Sequence, residues 1–403
     1  MKLVRAMHER VERYKALHPR VTFWIGAFKS GGHGDYLTLC AFARAARRHW
    51  AQKLGTQAPT GAVRTNFGSG VAAVPAGETI GVMVIGRDTG MPADYDITYE
   101  QPGIDVHMRM PEFGWKYQAA HLAPHFDAFY EVQYAVRAVI RDKERFAVDV
   151  AEARDRLDYW RGIYDFFPHS SQYIDSRVGM NQWQLMSETA GFPVEPSDLF
   201  ISTETPDIDG HGTSTLPSAA ALGACVTIHN SEGGTGITKC LPRDVPKLIS
   251  ETLVGLGVAV AHVGTRDRKD ALAPGAMDMR GLRLTETAAV IARARLHVDI
   301  EGGLVYVAKA VGTPSVVFFG PTPPSVFGFG GNVNYTRAIC PFADRTRHCW
   351  WSTPNWARAC PLGFKNCVNL PQAETAVRVV LDSLAKQGNG RHVQTRVTRG
   401  GAK

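Results

Sequence analysis

The sequence predicts an α/β fold built from two doubly wound domains, each with a mostly parallel sheet. Apolar runs of strand length alternate with helical patterns in both halves, which implies right-handed crossovers between parallel strands. Residues 315–319 are almost wholly apolar, as expected for a central parallel strand. Glycine turns follow strands in both halves. The length of 403 residues is sufficient for two domains of ordinary size.

The first domain is predicted to span residues 1–190. It begins with a basic amphipathic helix over residues 1–18, which ends before Pro19. A buried strand at 21–28, a glycine loop and an apolar-faced helix at 36–53 follow. The sequence also predicts a strand at 79–85, edge strands at 97–99 and around His107, and a mostly helical pattern over 126–166.

The second domain is predicted to span residues 191–370, after proline-rich residues 193–206. Its elements are strands at 224–229, 258–263, 296–300 and 315–319, and helices at 245–256, 284–293 and 304–311. It includes a cysteine-rich loop at 340–367. A final helical segment at 371–387 and a disordered tail at 388–403 complete the prediction.

Composition is typical of a globular protein, with 44% hydrophobic and 21% charged residues. The net charge of +7 favours an anionic partner such as a nucleotide-sugar, a phosphate-rich membrane surface or nucleic acid. No apolar run is long enough to span a bilayer, and the first twenty residues are too charged for a secretory signal. We therefore expect a cytoplasmic protein.

Two glycine turns are candidate ligand-binding elements. Gly302 and Gly303 follow a strand and begin a helix, where free N–H groups and the positive end of the helix dipole favour an anion. The carboxyl end of a sheet strand is also where α/β proteins bind nucleotides. An ordinary crossover with a glycine turn accounts for this segment equally well. The earlier turn contains Gly32, His33 and Gly34 and ends at Asp35.

Three segments, in the expected order, resemble glycosyltransferase family nine, the ADP-heptose glycosyltransferases. The sequence GGHGD at 31–35 resembles the glycine-rich loop of the family, which ends in Gly-Asp. KCLP at 239–242 resembles its Lys-Arg-Trp-Pro element. EGGLVYVAKAVGTPSVVFFGPTPP at 301–324 resembles its Asp-Ser/Thr-Gly-x-x-His and Phe-Gly-Pro-Thr signature.

The resemblance implies a GT-B fold, with two Rossmann-like domains facing across a cleft. It also implies an inverting glycosyltransferase that moves a heptose-like sugar from an ADP-linked donor to a hydroxyl of a lipopolysaccharide core, a protein or a small metabolite. Four positions depart from the family pattern: Glu301 replaces Asp, Gly302 replaces Ser or Thr, Tyr306 replaces His, and Cys240 replaces Arg. These positions fall in the donor pocket, so the donor need not be ADP-heptose itself.

On the acceptor side, the resemblance makes Asp35 the candidate general base, which would take the proton of the acceptor hydroxyl. From the sequence pattern alone, a helix-capping role for Asp35 is favoured, since a carboxylate there satisfies orphan backbone donors. Gly32, His33 and Gly34 are the predicted acceptor-side residues.

On the donor side, Lys239 is the candidate group that stabilises the leaving diphosphate, and a solvated surface lysine is the alternative. Glu301 is expected to hold a ribose or sugar hydroxyl, or else to act as a helix cap. No Asp-x-Asp motif lies in a donor-loop position, so no catalytic metal is predicted. The predicted donor-binding residues are Gly233, Gly234, Thr238, Glu301, Gly302, Gly303 and Thr322.

Four of the seven cysteines, Cys340, Cys349, Cys360 and Cys367, lie close together in the sequence. In a cytoplasmic protein such a group favours thiolate ligation of a metal over disulfides, and four sulfur ligands suit zinc or iron. We predict a structural metal, with free or paired thiols as the alternative. The cluster loosely resembles the autotransporter heptosyltransferase branch of the family, which carries an iron–cysteine site.

Two other functions remain open from the sequence. The first is a DNA-base glycosyltransferase of the phage type, in which the positive charge would follow the nucleic-acid backbone. The second is a non-catalytic protein that binds nucleotide-sugars, which the absence of the family His at Tyr306 would fit.

Overall fold

The computed structural model describes residues 2–29, 32–56, 79–87, 101–110, 122–132, 136–142, 144–145, 147–148, 180–203, 222, 225–230, 237–266, 271–340, 360–364 and 366–394. These residues form two α/β domains, each with its own sheet. No helix among them is both long and apolar enough to cross a membrane.

The first sheet contains five strands in the order β3-β2-β1-β4-β5. All neighbouring strands are parallel except β4 and β5, which form an antiparallel pair. The strands are β1 (Phe23–Lys29), β2 (Ile80–Arg87), β3 (Val106–Met110), β4 (Ala128–Val132) and β5 (Val136–Ile140). The associated helices are α1 (Lys2–Ala16), α2 (His33–Leu54) and α3 (Gln182–Ala190).

The second sheet contains six parallel strands in the order β11-β10-β9-β6-β7-β8. The strands are β6 (Val226–Ile228), β7 (Val260–Gly264), β8 (Met277–Arg280), β9 (Leu296–Ile300), β10 (Ser315–Phe318) and β11 (Val333–Tyr335). The helices are α4 (Asp244–Gly255), α5 (Leu284–Arg293), α6 (Gly303–Ala310), α7 (Pro324–Phe327) and α8 (Ala373–Gln394). Single-turn 3-10 helices cover Ala123–His125, Pro196–Asp198 and Ile237–Lys239.

Strand order fixes where each sheet can bind a ligand. In both sheets the order reverses beside the first strand, between β1 and β4 in one and between β6 and β9 in the other. At such a switch point the connections leave in opposite directions, which opens a crevice at the carboxyl ends of the strands. The turn before α2 follows β1, and the turn before α6 follows β9. Both predicted glycine turns therefore lie at a switch point.

The largest apolar cluster is shared by the two domains. Leu37 and Trp183 contribute to it from the first domain, and Val307 and Phe329 contribute from the second. The ring of Trp183 lies 6.1 Å from that of Phe329, centroid to centroid. Burial of this shared surface, at about 25 cal/mol per Å² of apolar area, favours close association of the domains.

Two predictions about elements are wrong. Residues 126–166 were expected to be mostly helical, but β4 and β5 occupy 128–132 and 136–140. Their aromatic and β-branched side chains suit a pleated sheet, and pairing with β1 decides the conformation. The tail predicted to begin at 388 is also wrong at its start, because α8 continues to Gln394. Glycines within α8 lower helix propensity without ending the helix.

Most of the other predicted elements are confirmed, whereas β8, β11 and α7 were not predicted. The edge strand expected around His107 is confirmed as β3, and α5 and β9 have the predicted bounds. The strand expected at 97–99 lies outside the described residues, as do the two Asp-x-Asp triplets of the sequence, at 94–96 and 207–209. Helix α2 ends as expected of a glycine C-cap, because Gly55 adopts a left-handed conformation with φ of 67°.

A buried ion pair joins α2 to the first sheet. The Arg47 guanidinium donates to Asp105 Oδ2 at 2.8 Å and to the carbonyl oxygen of Ile80 at 3.0 Å. Asp105 Oδ2 also accepts from the Val82 N–H at 2.7 Å. The two charged side chains are 4% and 1% exposed. Each charge depends on the other, since an unpaired buried charge is strongly unfavourable.

We therefore expect Arg47→Met to lower the free energy of unfolding by about 3–5 kcal/mol, because it leaves the Asp105 carboxylate buried without its partner. Urea denaturation measures this loss. Arg48→Met is the matched control, since Arg48 pairs with Asp198 but is 51% exposed. That change should cost at most about 1 kcal/mol. Equal losses in the two variants would contradict the assignment.

Candidate functional site

The two glycine turns touch each other where the domains meet. A Cβ atom added to Gly34 would lie 3.3 Å from the Gly303 Cα, and one added to Gly303 would lie 3.3 Å from the Gly34 nitrogen. A Cβ on Gly34 would also lie 2.8 Å from the Tyr306 ring, whereas one on Gly303 would require its neighbours to move by a few tenths of an ångström. The amino-terminal ends of α2 and α6 are thus held against each other, and the residues around them form one site.

On the first domain, Asp35 is oriented by two contacts. Its Oδ1 lies 3.2 Å from the Nζ of Lys29, and its Oδ2 accepts from the Gly32 N–H at 3.0 Å. Gly32 is the N-cap of α2, so the second contact is a capping interaction made from the third helical position. Lys29 is only 3% exposed, whereas the Asp35 side chain is 39% exposed. The carboxylate therefore caps the helix and also faces solvent beside a buried cation.

On the second domain, three predicted donor-binding residues come together. The Lys239 ammonium forms an ion pair with the Glu301 carboxylate, and the Thr322 hydroxyl donates to Glu301 Oε2 at 2.9 Å. All three residues are buried. Glu301 does not cap α6, because Gly302 occupies the N-cap position. Lys239 is consequently not the solvated surface lysine of the alternative interpretation.

Of the other predicted site residues, some belong to the part of the chain that the structure describes and some do not. Thr238 is buried, and its carbonyl oxygen would be 3.3 Å from a Cβ added to Gly320. His33 lies against Gly303, and burial lowers the pKa of its imidazole. Gly233, Gly234 and Cys349 lie outside the described residues.

Tyr306 joins the two halves of the site. Its hydroxyl oxygen accepts a hydrogen bond from Gln182 Nε2 at 2.6 Å, and its ring lies against Gly34. Burial raises the pKa of Tyr306 well above its usual value, and the negative charges of Glu301 and Asp35 raise it further. Both carboxylates therefore act on one neutral phenol, although they belong to different domains.

The described cysteines of the late cluster share one cavity. Cys340, Cys360 and Cys367 line it together with Thr238 and Pro321. Burial raises the pKa of the Cys367 thiol to about 11, with smaller contributions from Cys340 and Cys360. No group of three Cys, His, Asp or Glu side chains among the described residues is arranged to hold a metal ion. A fourth ligand from Cys349 would lie outside those residues.

Several site residues were not predicted from the sequence. Lys29 ends an apolar strand, and a charged residue at that position is the only signal it gives. Gln182 gives none, because its bond to Tyr306 spans 124 residues of sequence. His229 and Asp299 also lie at the second switch point, where His229 Nδ1 is 2.7 Å from Asp299 Oδ1. Asp299 lies within β9, and His229 directly follows β6.

Residues 279–363 match the family model of glycosyltransferase family 9 (heptosyltransferase). This match confirms, over those residues, the resemblance that the sequence indicates. The glycosyl transferase family 9 structure from Veillonella parvula DSM 2008 is similar at 13% identity and a TM-score of 0.53, covering 91% of this chain and 98% of that chain. That likeness confirms the predicted two-domain α/β fold of the GT-B type.

Two heptosyltransferase structures are more weakly similar. The ADP-heptose lipopolysaccharide heptosyltransferase II of E. coli has 12% identity and a TM-score of 0.48, covering 91% of this chain and 100% of that chain. The iron-containing glycosyltransferase TibC of enterotoxigenic E. coli H10407 has 14% identity and a TM-score of 0.49, covering 91% and 77%. No curated protein matches the chain by sequence.

The contact between the turns can be tested with Gly34→Ala. Its new methyl group would lie 2.8 Å from the Tyr306 ring, so we expect overpacking to lower the free energy of unfolding by about 1–3 kcal/mol. Gly32→Ala is the matched control, because nothing lies within 4 Å of its added Cβ. Denaturant unfolding of both variants measures the difference. If Gly34→Ala were as stable as Gly32→Ala, or more stable, the contact would be refuted.

Proposed function

We propose that this chain, whose residues 279–363 match glycosyltransferase family 9, is a glycosyltransferase that moves a heptose-like sugar from an ADP-linked donor to a hydroxyl acceptor with inversion. One observation carries the proposal. A half-exposed carboxylate on the first domain and a buried Lys–Glu–Thr cluster on the second flank the same pair of touching glycine turns.

Asp35 acts as the general base. As the acceptor oxygen attacks the anomeric carbon, its proton passes to the Asp35 carboxylate while the bond from that carbon to the diphosphate oxygen breaks. No covalent sugar–enzyme intermediate forms, so one displacement inverts the configuration. Lys29 and the Gly32 N–H hold the two carboxylate oxygens and fix their direction before reaction. A correctly placed base contributes about 10²–10⁴-fold to the rate.

The second domain receives the charge that develops on the leaving diphosphate. Lys239 and the backbone N–H groups at the start of α6 supply positive charge, and they do so in a largely buried setting where it has more effect than in water. Glu301 keeps Lys239 oriented in the absence of donor, while Thr322 holds Glu301 in turn. With the protein supplying these charges, the chemistry needs no catalytic metal.

The donor has a nucleoside diphosphate and a seven-carbon or similar sugar. The matched family is described as heptosyltransferase, and the E. coli enzyme by name uses ADP-heptose. Tyr306 and Gly302 differ from the usual family residues and lie in and at the start of α6, so the donor need not be ADP-heptose itself. The acceptor hydroxyl belongs to a lipopolysaccharide core, a protein or a small metabolite, and the reaction takes place in the cytoplasm.

Asp35→Asn tests the assignment of the base. We expect kcat to fall by about 10²–10⁴-fold with little change in donor KM, because the amide cannot accept the proton. Turnover of ADP-heptose with candidate acceptors, followed by release of ADP, measures this change. Asp244→Asn is the control, since Asp244 is an exposed acid in the first turn of another helix, α4. A near-normal kcat for Asp35→Asn would contradict the mechanism.

The late cysteines are proposed to hold one structural zinc or iron ion. Three thiols line one cavity, although the described residues alone are not arranged as a metal site, and burial raises the pKa of the Cys367 thiol to about 11, a cost of ionisation that a bound cation would relieve. Cys340, Cys360 and Cys367 would be ligands together with Cys349. The ion would hold Cys340, Cys360 and Cys367 together beside Thr238 and Pro321.

Metal analysis of the purified protein should give about one equivalent of zinc or iron per chain. Cys367→Ser should lose most of it, because one of four ligands is removed. Cys225→Ser is the control, since Cys225 is buried away from the cluster in the core of the second domain. Less than about half an equivalent in the wild-type protein, or equal metal in both variants, would contradict the site.

A further inference from the structure

Two pairs of a basic and an acidic side chain lie at the second switch point. Lys239 pairs with Glu301, and His229 pairs with Asp299. Asp299 and Glu301 are two residues apart at the end of β9, so their side chains leave on the same face. The Asn230 side chain accepts from the Leu241 N–H at 2.8 Å and thereby holds the segment after Lys239 beside the end of β6. Both basic residues therefore lie at one edge of the sheet.

Asp299 is fully buried and is surrounded by hydrogen-bond donors. His229 Nδ1 lies 2.7 Å from Oδ1, His297 Nε2 lies 3.1 Å from Oδ2, and the Ile300 N–H donates to Oδ1. Burial alone would raise the pKa of Asp299, but the charges and hydrogen bonds of the two histidines lower it below its usual value. The group is therefore a carboxylate, which only accepts hydrogen bonds.

This network fixes which nitrogen of each imidazole carries hydrogen towards Asp299. Because the carboxylate only accepts, His229 carries hydrogen on Nδ1 and His297 carries hydrogen on Nε2. The Thr227 hydroxyl lies 3.0 Å from His297 Nδ1 and 3.4 Å from the carbonyl oxygen of Leu296, so the Nδ1 side of His297 faces a buried hydroxyl rather than solvent. A buried carboxylate requires a positive partner, and His229 is the one of the two histidines that reaches the surface, with 13% of its side chain exposed.

The end of β7 is shaped around the His229 ring. A Cβ on Gly264 would lie 2.6 Å from His229 Cδ2 and 3.0 Å from Nε2, and Gly264 has a φ of 123°. Both facts exclude other residues at this position. The ring is thus held across the carboxyl ends of three strands, with Nδ1 towards β9 and the Nε2 edge towards β7.

We propose that His229, as an imidazolium, binds the diphosphate of the donor, and that Asp299 is its buried counter-ion. This inference rests on the proposed function and extends it by naming a second cation for the leaving group. A diphosphate carries more negative charge than one ammonium group can balance. Glu301 also neutralises part of the charge of the Lys239 ammonium, so a second cation is needed. His297 and Thr227 are positioning residues that hold Asp299 rather than contact the ligand.

Calorimetric titration with ADP and with adenosine tests the proposal. His229→Gln should raise the Kd for ADP about tenfold, equivalent to ~1.4 kcal/mol, and leave that for adenosine unchanged, because only ADP has the diphosphate. Asp299→Asn should do the same. The double variant should be no weaker than either single variant, since the two groups act as one unit.

His262→Gln is the matched control, because His262 is a buried histidine of the neighbouring strand β7 whose Nδ1 accepts from the Ala273 N–H at 3.1 Å. It should leave ADP affinity unchanged. Should Asp299→Asn fail to fold, His229→Gln still decides the question, since its side chain reaches the surface. Equal ADP affinity in His229→Gln and wild-type protein would refute the role of His229, as would equal losses for ADP and adenosine. A wild-type protein that binds no ADP would instead refute the proposed donor, and this assignment with it.

Discussion

The contact between Gly34 and Gly303 is the constraint on which the rest of the site depends. A Cβ at Gly34 would lie 2.8 Å from the Tyr306 ring and one at Gly303 would lie 3.3 Å from the Gly34 nitrogen, so a side chain at either position would crowd the contact between the two helix ends. The shared apolar cluster supplies the favourable free energy for the approach of the domains, but it does not determine how closely they meet. The contact between the two backbones determines that distance, and the hydrogen bond between Gln182 and Tyr306 stabilises it.

Charge at the site is arranged so that each group has a partner before any ligand arrives. Lys29 faces Asp35, Lys239 faces Glu301, and His229 faces Asp299. Because buried charges are costly when isolated, these pairs let the fold keep cations and carboxylates at the ends of its strands. A negatively charged ligand would then meet oriented donors, and little reorganisation would be needed on binding.

The sequence reveals the elements but not their contacts across the domains. Helix α5 and strand β9 have the predicted bounds, because their periodicity and length are unambiguous. The β4–β5 pair was missed, since its short apolar segments fit a helix or a strand and only pairing with β1 decides. The resemblance located Asp35, Lys239 and the second glycine turn, which the structure brings to one place.

The sequence does not reveal which residues of the site form hydrogen bonds or ion pairs with one another. The bond between Gln182 and Tyr306 joins residues far apart in the chain, and neither residue type signals it. The pairing of Lys29 with Asp35 depends on the path of a turn of which residues 30 and 31 lie outside the described part. Similarly, the sequence does not mark His229 as a site residue. Only the strand order of the second sheet shows that it lies at a switch point beside the buried Asp299 carboxylate.

A crystal structure with a non-transferable ADP-sugar tests the central claim most directly, namely that one sugar lies between the carboxylate of one domain and the cations of the other. The account predicts the diphosphate against Lys239 and the start of α6. It also predicts that Asp35 lies within about 2.6–3.2 Å of the position of an acceptor hydroxyl on the far side of the anomeric carbon. A diphosphate bound away from Lys239, or an anomeric carbon turned away from Asp35, would contradict it.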